Sequence, residues 1–168
     1  MANGLSYTAL EKGNVVRYSY STGKLEGIMF DCGAAKLQIK PSGYQLSPDE
    51  KTILLETNAT PIYRHSYTAD YYLYTIATGE LKPLLTEGNQ KIARFSPDGK
   101  KVAFVRENNI FVIDVQSGEL TQLTNDGKFN EIINGHTDWV YEEEFGFTDG
   151  FQWSPDSKKI AYYRFDES

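Results

Sequence analysis

Residues 93–104 run Ala93-Arg-Phe-Ser-Pro-Asp-Gly-Lys-Lys-Val-Ala-Phe104, and the stretch decides the fold because it occurs three times. Its counterparts are Gly43-Tyr-Gln-Leu-Ser-Pro-Asp-Glu-Lys-Thr-Ile-Leu54 and Phe151-Gln-Trp-Ser-Pro-Asp-Ser-Lys-Lys-Ile-Ala-Tyr162. Ser-Pro-Asp-x-Lys is a turn with a mechanism. Proline presets φ, aspartate bonds back to nearby backbone, and the fourth residue is free to vary. An apolar residue (Leu46, Phe95 or Trp153) precedes each turn, and an alternating strand follows it. These three residues are expected in equivalent buried positions at strand ends.

A second signal falls between the copies. Tyr18-Ser-Tyr-Ser-Thr-Gly-Lys-Leu25, Tyr74-Thr-Ile-Ala-Thr-Gly-Glu-Leu81 and Ile113-Asp-Val-Gln-Ser-Gly-Glu-Leu120 each read as strand, glycine turn, strand. Each repeat therefore supplies about four short strands, which is one blade of a β-propeller. The fold class is all-β, with antiparallel four-stranded blades and about three of them present. One strand, Ile160-Ala-Tyr-Tyr-Arg-Phe165, is expected after the last turn. Closed propellers have typically four to eight blades. Residues 1–168 are therefore expected to be a partial propeller domain within a larger protein. An incomplete ring exposes apolar faces, so the piece alone is expected to be marginally stable or to self-associate.

Spacing within the repeats singles out two segments. From Ser-Pro-Asp to the glycine turn takes 22 residues in one unit (Ser96 to Gly118) and 32 in another (Ser47 to Gly79), a surplus around 58–68. From the glycine turn to the next Ser-Pro-Asp takes 17 residues (Gly79 to Ser96) and then 36 (Gly118 to Ser154). Insertions in repeat folds go to loops on one face, often the binding face. The larger surplus holds Asp138-Trp-Val-Tyr-Glu-Glu-Glu-Phe145, three adjacent carboxylates among aromatics. As a solvated helix turn near 138–145, it would have Asp138 as N-cap and Glu142, Glu143 and Glu144 near the positive dipole end. As a site, it would await a cation, because like charges packed together repel and are costly to bury alone.

Composition narrows the function classes. There are 23 acidic and 17 basic residues, giving −6 with no basic patch, so no nucleic-acid partner is expected. Tyrosine (12) and phenylalanine (9) are abundant, as suits strands. The single cysteine, Cys32, permits neither an internal disulfide nor a cysteine-based metal site. No metal or cofactor is expected. No apolar run approaches the roughly 20 residues of a membrane helix. The sequence has no Gly-x-Ser-x-Gly elbow, His-Glu-x-x-His or P-loop, and His65 and His136 have no evident ligand partners. No catalytic residue is expected in this chain.

Asn134-Gly-His-Thr-Asp-Trp-Val-Tyr-Glu-Glu-Glu-Phe145 resembles the double-glutamate motif of the dipeptidyl peptidase IV family of prolyl oligopeptidase-like serine peptidases. Pro61-Ile-Tyr-Arg-His-Ser-Tyr-Thr-Ala69, Lys128-Phe-Asn-Glu-Ile-Ile133 and Phe151–Ser168 resemble it too, and the likeness is to the bacterial type. The resemblance implies an eight-bladed propeller followed by an α/β-hydrolase domain, absent here, with a Ser–Asp–His triad. It implies release of N-terminal X-Pro or X-Ala dipeptides from peptides with a free N-terminus. Glu143 and Glu144 would grip the substrate's α-ammonium, with Arg64 orienting the dipeptide; Glu142 should matter less. The partners implied are those peptides, the hydrolase domain of the same protein, and a homodimer of the full-length form. A periplasmic, cell-surface or secreted location goes with the family. The alternatives left open are a non-catalytic TolB-like binding propeller and a peptidase homologue lacking its nucleophile.

Overall fold

A computed structural model describes residues 1–35 and 40–168. The chain forms two compact units: Met1–Ala59 with Asp70–Thr86, and Thr60–Ala69 with Glu87–Ser168.

In the first unit, β1 (Ser6–Glu11), β2 (Asn14–Ser19) and β3 (Leu25–Phe30) form an antiparallel sheet in chain order. β4 (Gly43–Leu46), β5 (Thr52–Pro61), β6 (Tyr67–Thr75) and β7 (Glu80–Pro83) form a four-stranded sheet, also in chain order. Its core is Val15, Phe30, Cys32, Ile53 and Leu55, with Leu46 and Tyr74 packed against it. Phe30 meets Tyr74 edge-on at 4.9 Å, an arrangement that aromatic quadrupoles favour.

In the second unit, β8 (Lys91–Phe95), β9 (Lys101–Arg106), β10 (Asn109–Asp114) and β11 (Leu120–Gln122) make another four-stranded sheet in chain order. β12 (Ile132–Asn134) precedes the helix α1 (Trp139–Phe145), and β13 (Phe151–Trp153) follows it. The end of the chain is not the one strand expected. It breaks at Tyr163 into β14 (Ile160–Tyr162), paired with β13, and β15 (Arg164–Asp166), paired with β12. Tyr163 bridges the break, donating its N–H to Gly150 O (2.8 Å) and accepting from Gly135 N (3.0 Å). The core here is Ala103, Val105, Ile110, Val112, Phe151 and Trp153.

The three Ser-Pro-Asp turns share one set of hydrogen bonds. The serine hydroxyl donates to the aspartate carboxylate at 2.7, 2.7 and 2.6 Å for Ser47, Ser96 and Ser154. It also accepts the N–H five residues on, at 2.9, 3.0 and 2.9 Å. Each aspartate accepts a backbone N–H two residues later, from Lys51, Lys100 and Lys158. The register across each turn is the same: Leu46 opposite Ile53, Phe95 opposite Val102, Trp153 opposite Ile160. The strand-end equivalence holds, but the burial is unequal. Trp153 is buried, whereas Leu46 and Phe95 are half-buried. The fourth turn residue is also not free: Glu50, Gly99 and Ser157 all have positive φ, at 58°, 71° and 61°. That conformation lets a type I turn feed a twisted hairpin, and only Gly99 adopts it without strain.

The surplus around 58–68 is not a loop. β5 and β6 span 10 and 9 residues, against 6 each for β9 and β10, so the insertion lengthens a hairpin. Its far end belongs to the second unit.

Candidate functional site

Two elements of the second unit build the site: the far end of the β5–β6 hairpin and helix α1. The hairpin closes through Ile62 N–H donating to Ser66 O at 2.8 Å. Among the described residues, the amides of His65 and Ser66 have no backbone partner of their own, and partly buried donors of that kind favour an acceptor.

α1 starts where the sequence predicts. Asp138 is the N-cap, in extended conformation, and its Oδ1 accepts Tyr141 N–H at 2.7 Å. Gly146 ends the helix in the left-handed conformation, donating to Glu142 O at 3.1 Å. Seven residues at about 100° each aim the three glutamates in different directions. Only Glu142 lies in the first turn, and it is 1% exposed, so it is no solvated helix-end charge. Its Oε1 accepts both free amides of the hairpin end, His65 N–H at 2.7 Å and Ser66 N–H at 2.8 Å. Burial pushes this carboxyl up. The donors opposing it win and hold it below its ordinary value: the Ser66 hydroxyl, which faces it short of hydrogen-bond geometry, and the two amides.

Glu143 points to Arg64. Arg64 Nε lies 3.4 Å from Glu143 Oε2, with the arginine side chain 71% exposed and the glutamate 19%. Glu144 is exposed. The structure thus brings together Arg64 and Glu143, drawn from the two surplus segments, and leaves Glu144 facing solvent. Sequence reasoning missed the anchoring by Glu142. The only available signal was a third carboxylate with no assigned task.

Behind these groups lie Lys91 at the start of β8 and His136. The His136 ring places Nδ1 2.9 Å from Thr137 O and Nε2 2.9 Å from Asn108 Oδ1, with Lys91 Nζ at 3.5 Å. These bonds give the histidine a structural role. Burial lowers Lys91 from its ordinary value, against the pull of the Glu142 charge. Burial and the Lys91 ammonium together push His136 down to about 4, against the Thr137 carbonyl and Glu142. The sign follows from a folded pKa below the unfolded one: the unfolded chain takes up the proton first. This residue's contribution is intact above pH 6.5 and is lost as pH falls toward 4. The whole loss is on the order of 3 kcal/mol. A ring titration followed by NMR should give a midpoint near 4; an ordinary midpoint near 6.5 would contradict the burial.

The remaining segment singled out in sequence, Lys128–Ile133, is a closed turn. Lys128 and Ile132 exchange backbone hydrogen bonds at 3.0 Å each, and Lys128 pairs with Glu131. Among the described residues, no group of three or more His, Cys, Asp or Glu side chains converges as metal ligands do. No helix among them is long and apolar enough to cross a membrane.

Comparison with known proteins shows the family and the fold. Human prolyl endopeptidase FAP is 35% identical over 161 residues, covering 92% of this chain and 20% of its own length. A probable dipeptidyl-aminopeptidase B of Talaromyces marneffei is 40% identical over 134 residues, covering 77% and 15%. The crystal structure of Porphyromonas gingivalis dipeptidyl peptidase 4 superposes with a TM-score of 0.94 at 42% identity, over all of this chain and 25% of that one. TolB from Acinetobacter baumannii superposes at 0.51 with 21% identity, a likeness of fold alone, over 94% of this chain and 34% of that one. The sheets are propeller blades. The chain spans about a fifth of the length of the curated relatives it matches. The model of the dipeptidyl peptidase IV N-terminal region matches residues 47–168, and the chain belongs to that family.

Proposed function

We propose that this chain is the substrate-anchoring part of a serine-type dipeptidyl peptidase that releases X-Pro or X-Ala from free peptide N-termini. The observation that carries the reading is the ion pair between Arg64 and Glu143, beside an exposed Glu144. A peptide's α-ammonium has three donors and no acceptor, so it matches a pair of carboxylates. Charge-assisted hydrogen bonds of this kind are worth about 1.5–3 kcal/mol each. Before substrate arrives, Arg64 offsets part of the carboxylates' charge. When substrate binds, the arginine stays close enough to orient the dipeptide backbone.

Anchoring the amine fixes how far the chain reaches toward the nucleophile. The bond after the second residue is then presented, which is catalysis by positioning. A blocked or internal amine would leave carboxylates facing a neutral group, a costly state in a desolvated site. The nucleophile belongs to a hydrolase domain outside residues 1–168, and the remaining blades of an eight-bladed ring lie there as well.

Arg64→Ala in the full-length protein tests this assignment. Arg64 is largely exposed, so folding should be unaffected, while kcat/KM falls about 10- to 100-fold through loss of one charge-assisted contact. Unchanged kcat/KM with normal folding would remove Arg64 from the site. In the same assay the isolated chain should release nothing from a Gly-Pro reporter; turnover by pure chain would overturn the division of labour.

A further inference from the structure

Glu142 is the one glutamate of the triplet that the proposed chemistry leaves unused, and it is the most deeply placed. The residue is 1% exposed, and a single carboxylate oxygen, Oε1, takes two short hydrogen bonds. The donors are the backbone amides of the two residues after Arg64, and the acceptor sits one residue before Glu143. The contact spans 77 residues of sequence. By contrast, Arg64 meets Glu143 at 3.4 Å with an arginine side chain that is mostly in solvent. Exposed ion pairs contribute little and do not order long side chains by themselves. Something else must hold the arginine's backbone beside the helix.

We propose that Glu142 is a positioning residue: it latches the hairpin end that carries Arg64 to the helix that carries Glu143 and Glu144. This rests on the substrate role given above to those three residues. The chemistry favours a carboxylate over any other side chain at this place. Two N–H groups converge on one point, and a charged acceptor binds such donors about twice as strongly as a neutral one. Neighbouring backbone amides also cannot turn away as a side chain can, so the bond fixes the hairpin's direction as well as its distance. Removing the carboxylate would leave both partly buried amides unpaired, a state the hairpin escapes by lifting off the helix. Arg64 would then move with it, and a misplacement of about 1 Å in a positioning group can cost on the order of a hundredfold in rate.

Glu142→Ala and Glu142→Gln in the full-length protein test this. The glutamine variant keeps a carbonyl oxygen for the amides and loses only the charge, so it should rescue part of the effect. In the alanine variant, backbone hydrogen exchange over residues 62–68 should rise about tenfold or more. Trypsin should cut after Arg64 faster, because the released hairpin can extend into the protease. Overall kcat/KM should fall about 10- to 100-fold, with the glutamine variant between alanine and wild type in all three readouts. Unchanged exchange over residues 62–68 in both variants would overturn the latch. A loosened hairpin with full kcat/KM would overturn the positioning role alone. Full kcat/KM in a parallel Glu143→Gln variant would overturn the substrate reading, and with it any positioning role.

Discussion

Glu143→Gln and Glu144→Gln are each expected to lower kcat/KM of the full-length protein about 30- to several-thousand-fold on a free-amine X-Pro substrate. Either change keeps the size and removes the charge. If bound substrate desolvates the site, losing one charge of the ammonium–carboxylate pair costs about 2–5 kcal/mol, much of it from leaving the other charge unpaired. The loss falls on kcat/KM because misplacing the amine also misplaces the scissile bond. The two variants are not expected to behave alike in detail. Glu143 is already engaged by Arg64 and its side chain is 19% exposed, so its replacement also frees the arginine. Glu144 is exposed, so on the proposed reading its replacement would remove substrate contact alone. Stability should change little in the Glu144 variant, since surface substitutions usually stay within about 0.5 kcal/mol. A loss of activity that tracked a loss of folding in both variants would point to a structural role.

Gly135→Ala is expected to destabilise the fold strongly, by about 2–5 kcal/mol. Gly135 has φ of 79°, and a Cβ there would lie 2.6 Å from Ile110 Cγ1, 2.9 Å from Ile110 Cδ1 and 3.0 Å from Val105 Cγ2. Both neighbours are fully buried core residues with no room to retreat. Conformational strain at positive φ contributes about 1–2 kcal/mol, and overpacking a filled core about 1–3 kcal/mol. Gly135 also donates to Tyr163 O at 3.0 Å and accepts from Gly150 N at 3.2 Å, so a shift there would reach the strands around α1. Gly118→Ala is the control. It has φ of 75°, with nothing within 4 Å of the added carbon, so it carries the conformational strain alone. The difference between the two variants in denaturant unfolding measures the overpacking. Equal destabilisation would show that the core yields.

The repeat was legible because its chemistry is local. A serine, a proline and an aspartate within three residues determine a turn wherever they occur, and the register of Leu46, Phe95 and Trp153 follows from it. Asp138 as N-cap was legible for the same reason. What failed to show was whatever depends on distant partners. A surplus of residues between two signals does not say whether the chain makes a loop or a longer hairpin. β5 and β6 took the second course, and their far end packs with the second unit rather than the first. The positive φ of Glu50 and Ser157 was hidden because neither is glycine. Glu142 shows the limit most clearly. Three identical neighbours in sequence acquire three different environments once the helix turns, and which one is buried depends on amides 77 residues away. Lys91 and His136 gave no sign either, because each is an ordinary residue until the fold buries it.

Discrimination against a blocked N-terminus tests the glutamate pair most directly. The quantity is the ratio of kcat/KM for a free X-Pro substrate to that for its N-acetylated form, measured in wild type, Glu143→Gln and Glu144→Gln of the full-length protein. If the pair holds the α-ammonium, wild type shows a large ratio, and the ratio collapses in the glutamine variants because the free substrate loses what the acetylated one never had. If both substrates lose activity equally and the ratio stays at its wild-type value, these glutamates support the fold and do not recognise the peptide N-terminus.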